Sequence, residues 1–88
     1  YAFKVKDILS TRDFYVNILG CEEGRSTESW IDFNFFGNQL SAHISDEFPA
    51  LDYCGKVDGV SVPIPHFGCL LKIEEFERIQ QQLETKKV

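Results

Sequence analysis

Trp30-Ile31-Asp32-Phe33-Asn34-Phe35-Phe36-Gly37-Asn38-Gln39-Leu40-Ser41-Ala42-His43-Ile44-Ser45 is the stretch whose reading decides how this chain folds. Apolar and polar side chains alternate on both sides of a glycine, the period-two signature of half-buried strands. Gly37-Asn38 is a two-residue hairpin signal. It sets an expected register of Phe36 opposite Gln39, Asn34 opposite Ser41 and Asp32 opposite His43. Ile31, Phe33, Phe35, Leu40, Ala42 and Ile44 then form an apolar face, and Trp30, Asp32, Asn34, Gln39, Ser41 and His43 a polar one. A solvated sheet face is usually rich in Lys, Glu and Thr. This set looks more like the lining of a cavity, with a wetted surface as the alternative. A carboxylate directly across from His43 would favour its protonated form.

Outward toward the N-terminus, Ala2-Phe3-Lys4-Val5-Lys6 alternates and predicts a strand. Asp7 and Ser10 are both good helix N-caps, with Asp13 three residues after Ser10. Phe14, Tyr15, Ile18 and Leu19 recur at helical spacing, and Gly20 is a C-terminal stop. Cys21 to Ser26 is weakly patterned and fits an edge strand. Outward toward the C-terminus, 46–65 has no clear periodicity. Pro49, Gly55, Gly59, Pro63 and Pro65 are spread through it, as in a linker between two halves. Pro63 and Pro65 deliver an extended chain into His66-Phe67-Gly68-Cys69-Leu70-Leu71-Lys72, which is expected to be a strand. His66, Gly68 and Leu70 would lie on one face and Phe67, Cys69 and Leu71 on the other. A histidine opening a buried strand is either a ligand and proton carrier or a structural contact. Glu74-Glu75 opens a helix with Phe76, Ile79 and Leu83 on one face, and Lys86-Lys87 ends it as the helix dipole prefers. Strand, lysine, helix occurs twice, at 1–19 and at 67–83, a weak internal repeat.

The 88 residues make one domain at most, and a chain of this size buries only ~60% of its unfolded surface. A net charge of −5, with lysines scattered rather than in a stripe, argues against nucleic acid as a partner. No apolar run reaches the ~18 residues of a membrane span, so no membrane association is expected. Cys21, Cys54 and Cys69 are an odd set without metal spacing, and reduced thiols in a cytoplasmic protein are expected. Tyr1 stands where a natural start would carry methionine, and the second copy of the repeat stops after its helix. The chain therefore reads as one and a half units of a longer protein, with an open sheet edge that disfavours a stable monomer.

Phe3-Lys4-Val5-Lys6-Asp7, followed by Asp13-Phe14-Tyr15-Val16-Asn17-Ile18-Leu19-Gly20-Cys21, resembles the V-x-D … FY-x-x-x-LG opening of the vicinal oxygen chelate superfamily. That superfamily includes glyoxalase I, extradiol dioxygenases and bleomycin- or fosfomycin-resistance proteins. Trp30 to Leu40, Ala42-His43 and Val62 to Gly68 resemble a bacterial glyoxalase- or dioxygenase-like subgroup. The resemblance implies an α+β fold of paired βαβββ modules whose curved sheets form a cleft. Residues 1–88 would be one incomplete domain: 1–45 a complete first module, 46–65 a linker, and 66–88 a second module truncated after its helix.

The function implied is a metal-dependent lyase, isomerase or dioxygenase acting on a small oxygen-rich molecule chelated by a divalent ion (Fe, Zn, Ni, Mn or Mg). The alternative is a metal-free antibiotic-binding resistance protein, with Trp30 as a stacking surface. The resemblance carries one ligand position onto this sequence, His66. Ser41 falls where some members supply a glutamate, which disfavours a four-ligand glyoxalase I site and leaves a His-His-Glu arrangement open. His43, Asp32, Ser41, Trp30 and Asn34 would line the cavity, the partner would be a small-molecule substrate, and the protein would be a homodimer.

Overall fold

The computed structural model describes residues 1–47, 54–64 and 66–88. The alternating stretch folds into β3 (Trp30–Phe35) and β4 (Asn38–Ile44), and its two faces are the expected ones. Ile31, Phe33, Leu40 and Ala42 are buried on the inner face. The register differs from expectation. Trp30 pairs with His43, Asp32 with Ser41, Asn34 with Gln39 and Phe35 with Asn38. Asp32 is therefore not across from His43, and the turn is Phe36-Gly37, with φ of 50° and 92°.

Sliding a two-residue turn by one position changes every cross-strand partner by two. Hydrophobic alternation is blind to that change, because the faces are preserved. The turn itself decides. Asn34 Oδ1 accepts from the Gly37 N–H at 2.8 Å, and Asn38 Nδ2 donates to the Phe35 carbonyl at 3.3 Å. Gly37 takes one of the two left-handed positions that a primed turn requires. Phe36 takes the other, where a side chain costs about 1–2 kcal/mol. Its ring packs edge-on against Phe35, 5.0 Å between centroids, which offsets part of that strain.

The strand β1 (Ala2–Val5) runs parallel to β4, placing Phe3 beside Ala42 and Lys4 beside His43. The edge strand β2 (Glu22–Ser26) pairs antiparallel with β3. The sheet order is β1-β4-β3-β2. Between β1 and β2 the chain forms α1 (Ile8–Arg12), continued as a π-helical stretch, Asp13–Ile18. Asp7 rather than Ser10 is the N-cap, its carboxylate accepting from the Ser10 N–H at 2.9 Å and from the Ser10 hydroxyl. Those bonds favour the ionised form and hold Asp7 below the ordinary carboxylate pKa.

The π stretch closes with Leu19 N–H donating to the Phe14 carbonyl at 3.0 Å, and Gly20, at φ 79°, ends it. This helical segment covers the inner face, and Tyr15 stacks on Phe33 at 4.9 Å between centroids. Leu19, Cys21, Ile31, Phe33, Leu40 and Ala42 form the buried core.

Two features of the C-terminal half differ from the sequence expectations. Within 46–65, β5 (Cys54–Val57) and β6 (Val60–Pro63) form a second, two-stranded sheet. Its turn is Asp58-Gly59, both left-handed at φ 49° and 79°, the Asp-Gly hairpin chemistry. His66 to Lys72, expected as a strand, forms no regular element. A strand exists through its ladder, and among the described residues no strand pairs with this segment. Side-chain packing holds it instead: the Phe67 ring lies 4.7 Å from Tyr1, 5.6 Å from Phe35 and 5.9 Å from Phe3. The expected alternation survives only in part: Cys69 and Leu71 are half-buried and His66, Gly68 and Leu70 exposed, but Phe67, expected on the inner face, is 39% exposed. The final helix, α2 (Ile73–Thr85), packs Ile79 and Leu83 against the core, whereas Phe76 stays largely exposed.

Candidate functional site

The outer face of the four-stranded sheet, away from α1, carries the polar residues in cross-strand rows. One row runs Lys4, His43, Trp30 and a second runs Ala2, Ser41, Asp32. A third runs Gln39, Asn34, Glu22. The five residues expected to line a cavity, Trp30, Asp32, Asn34, Ser41 and His43, thus share one surface. Asp32 lies under it, with its side chain 11% exposed. Ser41 Oγ donates to Asp32 Oδ1 at 2.6 Å and Gln39 Nε2 donates to Ser41 Oγ at 3.4 Å. A carboxylate so withdrawn from water needs such a donor. Ser41 spends its proton on Asp32 directly, and His43 sits beside Trp30 with ring centroids 6.4 Å apart. Serine, aspartate and histidine therefore form no nucleophile–base–orienter chain.

Two residues absent from the sequence-derived set complete the surface. The β2–β3 register jumps between Glu23↔Phe33 and Ser26↔Ile31, so Gly24 and Arg25 both stand opposite Asp32. This two-against-one count is a β-bulge, which re-aims a side chain. A Cβ on Gly24 would lie 3.3 Å from Asp32 Cβ, so the bare glycine lets the edge strand close over the carboxylate. Arg25 is thrown onto the outer face, with Nη2 3.5 Å from Asp32 Oδ2 and its guanidinium 5.9 Å from the centre of the Trp30 ring. The available signal was a glycine inside a weak strand, which marks a bulge or a close backbone approach. A groove of about 440 Å³ opens along this surface, lined among others by Gly24, Arg25, Asp32, Asn34, Asn38 and Gln39.

His66 lies outside this group. Its ring is exposed, and Nδ1 is 3.0 Å from the Pro63 carbonyl. No group of three or more His, Cys, Asp or Glu side chains able to hold a metal occurs among the described residues. Cys21 is buried behind the sheet, and burial pushes its thiol pKa up, with Cys69 adding to the rise and Arg78 opposing it. Such a thiol is a packing group, not a nucleophile.

The architecture has close counterparts among solved structures. A glyoxalase/bleomycin resistance/dioxygenase protein from Alicyclobacillus acidocaldarius superposes with a TM-score of 0.77 and 28% identity over the whole chain, which spans 61% of that protein. The chain has the vicinal oxygen chelate fold. An integron cassette protein from the mobile metagenome of the Halifax Harbour sewage outfall shares this fold, with a TM-score of 0.70 and 23% identity. There 98% of the chain covers 66% of the counterpart. The chain thus spans 61% of the first counterpart and about two thirds of the second. No protein-family profile and no curated protein matches the chain. No described helix is long and apolar enough to cross a membrane.

Proposed function

We propose that the outer face of this sheet binds a small oxygen-rich molecule. The observation that carries the reading is the Gln39–Ser41–Asp32 hydrogen-bond chain beside a groove lined by Arg25, Asp32 and Gln39, with the Trp30 ring against the Arg25 guanidinium. A withdrawn, bonded carboxylate and an aromatic ring on an otherwise polar surface make a few fixed polar groups around an open volume, as a ligand site requires. The similarity to a glyoxalase/bleomycin resistance/dioxygenase protein supports the same reading. The residues available favour binding over metal-assisted catalysis. By the resemblance, Ser41 falls where some members carry a glutamate ligand, and its hydroxyl is committed to Asp32. The described residues do not assemble a complete ion site.

A second reading, a metal-dependent enzyme, is favoured by one observation. A carbonyl only accepts, so in the His66–Pro63 contact Nδ1–H donates, and a neutral ring so held keeps Nε2 for a ligand. His66 would then supply one donor of a divalent site.

Trp30 is the sole tryptophan, so its emission reports on this face directly. Titration with catechol and with glycolate should give a saturable change in Trp30 emission, before and after treatment with a chelator. Absence of any saturable response removes the binding reading. Elemental analysis tests the second: a stoichiometric divalent ion, lost in His66→Ala, supports it, and a metal-free protein that still binds ligand excludes it.

A further inference from the structure

We propose that Arg25 is the specificity-determining residue of this face and selects small molecules that carry a carboxylate. The inference rests on the reading of the face as a small-molecule site. It begins with the bulge, because a regular β2 ladder would set one residue against Asp32 and alternate the next to the other side. The extra residue puts Gly24 and Arg25 together opposite Asp32, and the missing Gly24 side chain lets the strand settle there. Arg25 is then held from two sides, by Asp32 Oδ2 and by the Trp30 ring. Its side chain is nonetheless 82% exposed.

That combination separates the charges by depth. Asp32 lies below, one oxygen occupied by Ser41 and the other turned to Arg25. The guanidinium lies above, its planar fork loosely engaged and facing the groove. A guanidinium in that state pairs with a carboxylate through two parallel N–H···O bonds. Asn34, Asn38 and Gln39 line the same groove with neutral amides, and the Trp30 ring, on the other side of the guanidinium, offers an apolar surface at the margin. The other charged groups on the face stand in neighbouring rows, Glu22 beside Asn34 and Lys4 beside His43.

The test uses benzoate and its neutral analogue benzamide, read by Trp30 emission. Benzoate should give a saturable change that weakens as salt is raised, and benzamide should bind about tenfold more weakly, as the loss of a charge-assisted pair implies. Arg25→Gln should bring benzoate down to the level of benzamide while moving the unfolding midpoint only slightly, since the side chain is mostly in water. Arg25→Lys should restore only part of the difference, because an ammonium lacks the fork. Equal binding of benzoate and benzamide, or benzoate binding unchanged in Arg25→Gln, overturns the role of Arg25 and leaves the binding face standing. If neither probe alters Trp30 emission, the role of Arg25 and the binding face fall together.

Discussion

Ser41→Ala removes one hydrogen bond from a carboxylate that water barely reaches. The bond is short, 2.6 Å, and its acceptor side chain is 11% exposed. Hydrogen bonds to charged groups contribute about 1.5–3 kcal/mol net. Arg25 remains 3.5 Å from the other oxygen, but its side chain is 82% exposed, so that pair offsets less than about 1 kcal/mol. The expected loss is about 2 kcal/mol, which for a chain of this size lowers the melting temperature by about 8–16 °C. Urea unfolding followed by circular dichroism measures it. The same substitution in an Asp32→Ala background should cost much less, because the carboxylate needing a donor is gone, giving a coupling of at least about 1.5 kcal/mol. A loss below about 0.5 kcal/mol, or additive effects in the double-mutant cycle, would refute the claim that Ser41 and Asp32 form one unit.

Phe33→Ala should be the more severe core lesion, about 3–5 kcal/mol, since Phe33 is 1% exposed and stacks on Tyr15; denaturant midpoints check it. Asp7→Ala should destabilise the protein at neutral pH by uncapping α1. The folded pKa of Asp7 lies below its ordinary 3.8, so its stabilisation is present above that value and is lost as pH falls through the folded one. Wild type and variant should therefore converge in strong acid, and melting curves across that range test it. Cys21 has the opposite sign: its raised thiol pKa gives a contribution that is full below the ordinary thiol value and lost as pH rises through the folded one. Iodoacetamide at neutral pH should alkylate half-buried Cys69 before buried Cys21, a difference that mass spectrometry reads and urea abolishes.

The residues differ in how much of their placement was legible from sequence. The two faces of the central hairpin were readable because burial of Ile31, Phe33, Leu40 and Ala42 imposes a period of two. Its register was not, because a slide of one turn position keeps that period, and the choice fell to the Asn34 side chain and to Phe36 accepting a left-handed backbone. The β5–β6 hairpin escaped periodicity because its strands are four residues each and Lys56, Val57, Val60 and Ser61 are all exposed, although Asp58-Gly59 marked the turn. His66 to Lys72 keeps the expected alternation only in part, and alternation does not create a ladder. Five residues of the candidate face followed directly from the pattern. Arg25 did not, because a bulge breaks the very alternation by which faces are assigned, leaving Gly24 as the local clue.

The most direct test of the binding face is backbone-amide chemical-shift mapping by NMR as glycolate is added. The account predicts shifts concentrated at Gly24, Arg25, Trp30, Asp32, Asn34 and Gln39, on the outer face. Shifts centred instead on another groove, lined by Phe36, Leu70, Leu71, Lys72, Glu74 and Glu75, would contradict it.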